Sequence, residues 1–154
     1  MYYTIIESKI GKILLIGNEN GLSQLILNPD SSQININWKK NDLFFTQISL
    51  QLGEYFSNKR RTFDCKLNPQ GTIFQKKVWE FLLTIPYGKL FSYKDVAKGI
   101  GNENASRAVG FANNKNPIPI IIPCHRVVGS NGKLVGYAYG LDVKQKLIQL
   151  EEQS

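Results

Sequence analysis

"SYKDVAKGIGNENASRAVGFANN", residues 92–114, holds two short helical segments separated by a glycine-containing turn. Ser92 followed three residues later by Asp95 forms a capping box, which starts a helix by satisfying its first free N–H groups. The pair predicts a helix-turn-helix. The second segment is small along one side, with Ala105, Ser106, Ala108, Gly110 and Ala112 around a single Arg107. Small residues let a backbone approach another surface closely, and one long cation can reach into it. A groove of DNA fits that description, and so does tight packing on a neighbouring helix. Tyr93, at the opening of the first helix, places a phenol where it can face solvent or a ligand.

The chain continues into "PIPIIIPCHRVVGSNGK", residues 117–133, where an apolar run meets Cys124, the sole histidine His125, and Arg126. In extended chain, neighbours at i and i+1 point to opposite faces. Cys124 and His125 therefore cooperate only if the chain bends there or a water bridges them. A free thiol titrates near about 8.5, and a neighbouring cation stabilises the thiolate, which is the nucleophile. His125 as base and Arg126 as nearby charge supply what a reactive cysteine needs. The alternative is a buried cysteine beside a histidine that only satisfies backbone groups. The final helix, "DVKQKLIQLEE", carries Val143, Leu147, Ile148 and Leu150 as apolar positions. It also carries Glu151, either an acid that orients His125 in a nucleophile–base–orienter triad or a surface glutamate.

Upstream, "FQKKVWEFLLTI" puts Phe74, Val78, Phe81 and Leu82 on one helical face and stops at Pro86. Residues 2–28 read as three short strands of an antiparallel meander. "NPDSSQININWKKND" reads as a mobile polar loop, and "LFFTQISLQLGEYFS" as an amphipathic helix burying Leu43, Phe44, Ile48, Leu52, Tyr55 and Phe56. "RRTFDCKLN" reads as a further strand with Cys65 half-buried in it. The change of texture lies between 60 and 72. The expected fold class is α+β: a small α/β domain over 1–68, then a mostly helical domain with the helix-turn-helix over 69–154.

Composition narrows the function. The 154 residues suffice for one ordinary domain or a compact domain with a small appendage, and at 42% hydrophobic they contain no apolar run long enough to span a bilayer. No leader pattern opens the chain, so a cytoplasmic protein with no membrane contact is expected. Two cysteines make no disulfide framework, and one histidine leaves too few ligands for a zinc finger, so no metal is expected. A net charge of +7 fits a polyanionic partner, and equally a basic surface kept for solubility.

"IPCHRVVGSNGKLVGYAYGL", preceded by "SYKDVAKGIGNENASRAVGFANNKNPIP", resembles the O6-alkylguanine-DNA alkyltransferases, the methylated-DNA protein-cysteine methyltransferases. The resemblance covers roughly residues 70–152, and the first sixty match only in general pattern. It implies a ribonuclease H-like amino-terminal domain and a helix-turn-helix that enters the minor groove of double-stranded DNA containing O6-alkylguanine. On that mapping Cys124 accepts the alkyl group irreversibly, His125 removes its proton through a water, and Glu151 holds His125. Asn116 fixes the active-site loop, Tyr93 hydrogen-bonds the guanine, and Arg107 fills the gap left by the flipped nucleotide. Ala105, Ser106, Ala108 and Gly110 line the DNA side. Backbone groups at Cys124, Val127 and Ala138 read the base, and Tyr137 lines the pocket. Tyr139 stands where the family commonly has glycine and is expected to narrow the entrance. No cofactor is implied, and a monomer acting once is. Three rivals stand beside this reading: a non-catalytic sensor of alkylated DNA, which would lack the acceptor cysteine, a cysteine hydrolase, and a helix-turn-helix regulator. The last usually displays Arg, Asn or Gln along its recognition helix, and this helix is nearly bare.

Overall fold

Short apolar runs separated by Gly- and Asn-containing turns produce three antiparallel strands in the computed structural model, which describes residues 1–153. They are β1 (Tyr2–Ser8), β2 (Gly11–Asn18) and β3 (Gly21–Leu27). β1 pairs with β2 from Tyr2↔Gly17 to Ser8↔Gly11, and β2 pairs with β3 from Ile13↔Leu27, slipping register at Ile16/Gly17. β2 is central, so Ile13, Leu14, Leu15 and Ile16 are all buried and the strand reads as a continuous apolar run rather than an alternating one. A two-residue strand, β4 (Lys39–Lys40), runs parallel to β1 and completes the order β3-β2-β1-β4. Helix α1 (Thr46–Phe56) supplies Ile48, Leu52, Tyr55 and Phe56 to the same core.

Three expectations for this region are corrected. The Asn-rich stretch is not all loop: Asp30 and Gln33 cap a 3-10 turn over Ser31–Gln33, and β4 follows it. Leu43 and Phe44 are exposed, and Phe45 is buried instead. The α-helical phase begins only at Thr46, and the 3-10 turn ahead of it winds more tightly and shifts which side chains face inward. "RRTFDCKLN" forms no strand, only a single bridge between Leu22 and Leu67. The Gln51 side chain claims the Asp64 backbone on both sides, accepting from its N–H at 2.9 Å and donating to its carbonyl at 3.1 Å. Those groups are thereby satisfied without a ladder, and Cys65 is half-buried outside any strand.

Met1–Gln70 forms one compact unit, and a second begins at Gly71. The second opens with α2 (Ile73–Leu82), capped reciprocally by Thr72 and Gln75. Val78 and Leu82 are buried as the periodicity predicts. Phe74 and Phe81 are only half-buried, and Trp79 takes the deep position, where its indole N–H donates to the Ala112 carbonyl at 2.8 Å. Ala112 thus belongs to the core rather than to the open small-residue side.

The helix-turn-helix consists of α3 (Tyr93–Gly99) and α4 (Ser106–Asn114). The predicted capping box is present, with Asp95 N–H donating to Ser92 Oγ at 3.0 Å and Ser92 N–H to Asp95 Oδ2 at 2.9 Å. α3 ends in a Schellman motif: Asn102 N–H donates to Ala97 O and Gly101 N–H to Lys98 O, both at 2.9 Å. Gly101 sits at φ +80°, a conformation that a side-chain-bearing residue would adopt only with strain. A small parallel pair joins β5 (Phe91–Ser92) to β6 (Val127–Val128), and α5 (Leu141–Glu152) closes the unit. α5 buries Lys144, Leu147, Ile148 and Glu151, the i, i+3, i+4, i+7 spacing of one helical face, while Leu150 is only half-buried.

Candidate active site

The isoleucine-rich run forms the floor of the site. Ile118, Ile120, Ile121 and Ile122 are buried. Ile120 adopts φ +75°, a left-handed conformation rare for a β-branched residue and costing about 1–3 kcal/mol. Two asparagines hold this turn. Asn116 accepts from Ile118 N–H at 2.9 Å and donates to Ile122 O at 2.8 Å, while Asn113 donates to Cys124 O at 3.2 Å. The chain then bends into a 3-10 turn over Cys124–Arg126, the departure from extended geometry that a cooperating Cys–His pair requires.

His125 is fully buried, and its Nε2–H donates to Glu151 Oε2 at 2.6 Å. The second ring nitrogen, Nδ1, has no hydrogen-bond partner among the described residues. With the proton on Nε2, Nδ1 carries the lone pair and can receive one. Glu151 is surrounded by donors. Oε1 accepts from Arg126 Nε at 2.9 Å and Gly88 N–H at 3.1 Å, and Oε2 also accepts from Arg126 Nη2 at 3.1 Å. Arg126 Nη1 donates to Ile85 O at 2.7 Å. Burial alone would push the Glu151 carboxyl up, but the hydrogen bonds from His125 and Arg126, together with the Arg126 charge, outweigh it and hold it well below the usual carboxylate range. Burial lowers the His125 imidazole, helped by the Arg126 and Lys144 charges against the opposing pull of Glu151, so the ring is held neutral as a base.

Arg126 is therefore committed to Glu151 rather than to the thiol, contrary to its expected part. The cation that acts on Cys124 is Lys144, a residue the sequence reading overlooked. Lys144 is 0% exposed; its Nζ donates to Val135 O at 3.0 Å and Gly136 O at 3.3 Å and lies 5.9 Å from the centre of the Tyr93 ring. Burial lowers its pKa to about 8. A lysine at the fourth position of an amphipathic helix looks solvated in sequence. The available signal was its place on the same face as Leu147, Ile148 and Glu151.

Burial also pushes the Cys124 thiol up to about 11, with Asn116, Lys144 and Tyr137 pulling the other way. Cys124 thus rests as a protonated thiol, and forming its thiolate needs a base. Iodoacetamide alkylation of Cys124 is expected to accelerate about tenfold per pH unit between pH 6 and 8, and Lys144→Met should slow it throughout. Peptide mass spectrometry reads the modified cysteine, and a rate already level below pH 8 would contradict this state.

Tyr93 is turned inward. Its hydroxyl donates to Val135 O at 2.8 Å, sharing that carbonyl with Lys144. On α4, Ala105, Ser106 and Gly110 are half-buried, whereas Arg107 and Ala108 are exposed. Val127 is buried in β6, and Ala138 is exposed. Tyr137 and Tyr139 are half-buried, their rings 6.1 Å apart. The structure thus gathers Cys124, His125, Glu151, Asn116 and, through Lys144, Tyr93 around one turn. Arg107 and Ala108 lie apart from them on the outer face of α4. Among the described residues, no three His, Cys, Asp or Glu side chains gather to hold a metal.

A helix-turn-helix in the same unit as a buried cysteine and a His–Glu–Arg chain defines a DNA-binding-type domain built around a buried thiol. The sequence matches two adjoining family descriptions: "6-O-methylguanine DNA methyltransferase, ribonuclease-like domain" over residues 1–69, and "6-O-methylguanine DNA methyltransferase, DNA binding domain" over residues 73–153. A methylated-DNA–protein-cysteine methyltransferase of Methanosarcina barkeri is 56% identical, with 99% of this chain and 98% of that protein covered. One from Mycolicibacterium paratuberculosis is 43% identical over 97% of this chain and 91% of its own length. The crystal structure of Mycobacterium tuberculosis OGT in complex with DNA matches with a TM-score of 0.92 at 42% identity, covering 99% of this chain and 94% of that one. The chain belongs to the 6-O-methylguanine DNA methyltransferase family.

Proposed function

We propose that this protein repairs DNA by direct reversal, transferring a methyl or other alkyl group from O6-alkylguanine to Cys124 in one irreversible turnover. The observation that carries this reading is the buried Cys124 beside a neutral His125, whose Nε2–H is fixed on Glu151 and whose Nδ1 is left to accept a proton. A duplex hides the O6 substituent, so the base must leave the stack at a cost of about a few kcal/mol. Arg107, exposed on α4, offsets part of that cost by entering the vacancy.

The Cys124 proton passes to His125 Nδ1 through a water. Sγ then attacks the alkyl carbon, forming S–C as C–O6 breaks, and the bonding pair leaves with the guanine. The Tyr93 hydroxyl, released from Val135 O, donates to the guanine ring and eases that departure. Asn116 holds the turn, while the Val127 and Ala138 backbones and the Tyr137 ring border the base. Tyr139 beside Tyr137 narrows the entrance toward small adducts. The thioether product resists hydrolysis, so the protein acts once, as a monomer and without a cofactor.

No helix among the described residues is long and apolar enough to cross a membrane. The free acceptor thiol suits a reducing compartment, for which we take the cytoplasm. The relatives, named as methylated-DNA–protein-cysteine methyltransferases, support the reaction. The presence of Cys124 argues against a non-catalytic sensor. Incubation with excess duplex containing O6-methylguanine tests the function: lesion loss is expected to stop at one per protein molecule. Continued turnover would instead indicate a hydrolase.

A further inference from the structure

The outer face of α4 is not bare. Phe111 is 67% exposed, in a helix whose Val109, Ala112 and Asn113 are buried. At about 100° per residue, Arg107, Ala108, Phe111, Asn114 and Lys115 occupy one continuous arc, all of them exposed. Phe111 lies at the middle of that arc, about 40° around from Arg107 and about 6 Å further along the axis. Gly110, on the other side of Arg107, faces the Tyr93 ring, and Phe111 lies about 100° around the helix from it.

We propose that Phe111 is a DNA-contacting residue of the repair reaction, packing its ring against the apolar deoxyribose wall of the minor groove beside the nucleotide that Arg107 replaces. This rests on the function proposed above. Charge complementarity favours a duplex as the occupant, since Arg107 and Lys115 flank the ring with two cations and no carboxylate stands among the five residues of the arc. An apolar wedge among cations is a recurrent way of holding an opened minor groove. The phenyl ring would contribute affinity that does not depend on counterion release, whereas the flanking cations contribute the part that does. A single large apolar side chain thus does for the complex what the small residues around it cannot.

The test is fluorescence-anisotropy titration of wild type, Phe111→Ala and Lys115→Ala with a duplex containing O6-methylguanine, repeated over a range of salt concentrations. Phe111→Ala is expected to weaken binding about tenfold and leave the dependence of log Kd on log salt unchanged. Lys115→Ala is expected to lower that slope by about one. The DNA concentration giving half-maximal transfer should rise for Phe111→Ala while the limiting rate stays within about threefold of wild type. Its melting temperature should match wild type, as expected for an exposed position. If wild type repairs the duplex and Phe111→Ala binds it equally well, or loses affinity together with salt slope, this inference fails and the parent function stands. If wild type neither binds nor repairs the duplex, the parent function fails and takes the inference with it.

Discussion

Glu151→Gln is expected to melt about 10 °C below wild type and to transfer its alkyl group at least about a hundredfold more slowly. Both effects follow from the same carboxylate. Its two oxygens accept hydrogen bonds from His125 Nε2, Arg126 Nε, Arg126 Nη2 and Gly88 N–H. Whichever way a glutamine turns, its NH2 group meets donors, and Arg126 is left as a buried cation without its anion. Breaking a buried pair by removing one partner costs about 3–5 kcal/mol. The rate falls separately, because Glu151 also fixes the proton on Nε2 and thereby leaves Nδ1 basic. Differential scanning calorimetry and single-turnover transfer would show the two losses. Retention of both would remove Glu151 from the account.

The acid limb of stability carries the same signature. A carboxyl held below its unfolded value of about 4.3 contributes stability that is complete above that value and disappears as pH falls through the lower folded one. Wild type should therefore lose stability more steeply than Glu151→Gln as the pH is taken down through the carboxylate range.

The helix-turn-helix was legible because its signals are local. Ser92 and Asp95 specify the start of α3 within four residues, and the glycine-containing turn specifies its end. The meander was legible for the same reason, through turn residues between short apolar runs. "RRTFDCKLN" misled because its backbone partner is a side chain, Gln51, thirteen residues away from Asp64, and no pattern within the segment reports that. Leu43 and Phe44 misled because a 3-10 turn breaks the helical phase just ahead of α1.

At the site, Cys124, His125 and Glu151 were nameable as residue types, but their partition of labour was not. Arg126 stands two residues from the cysteine in sequence, yet it points at Glu151, since a 3-10 turn redirects consecutive side chains. Lys144 carries no motif, and only burial by the surrounding fold turns it into the cation that acts on the thiol. Phe111 was passed over among small residues because a helix face becomes a face only when the buried side is known.

Cys124→Ala is expected to take up no alkyl group at all, the largest effect any single change should have. Cys65, the one other thiol, is half-buried, with its pKa raised to about 11 first by burial and then by the Asp64 charge, and no histidine is available to deprotonate it, since the chain contains only one. A second acceptor is therefore not expected to take over. The buried Cys→Ala change removes only a sulfur atom from a well-packed turn, so the variant should remain folded and bind lesion-containing duplex.

The decisive measurement is the intact mass of wild type and Cys124→Ala after incubation with a duplex containing O6-methylguanine. The account predicts a gain of one methyl group, saturating at one per wild-type molecule, and no gain in the variant. No gain in wild type, or an equal gain in Cys124→Ala, would contradict it.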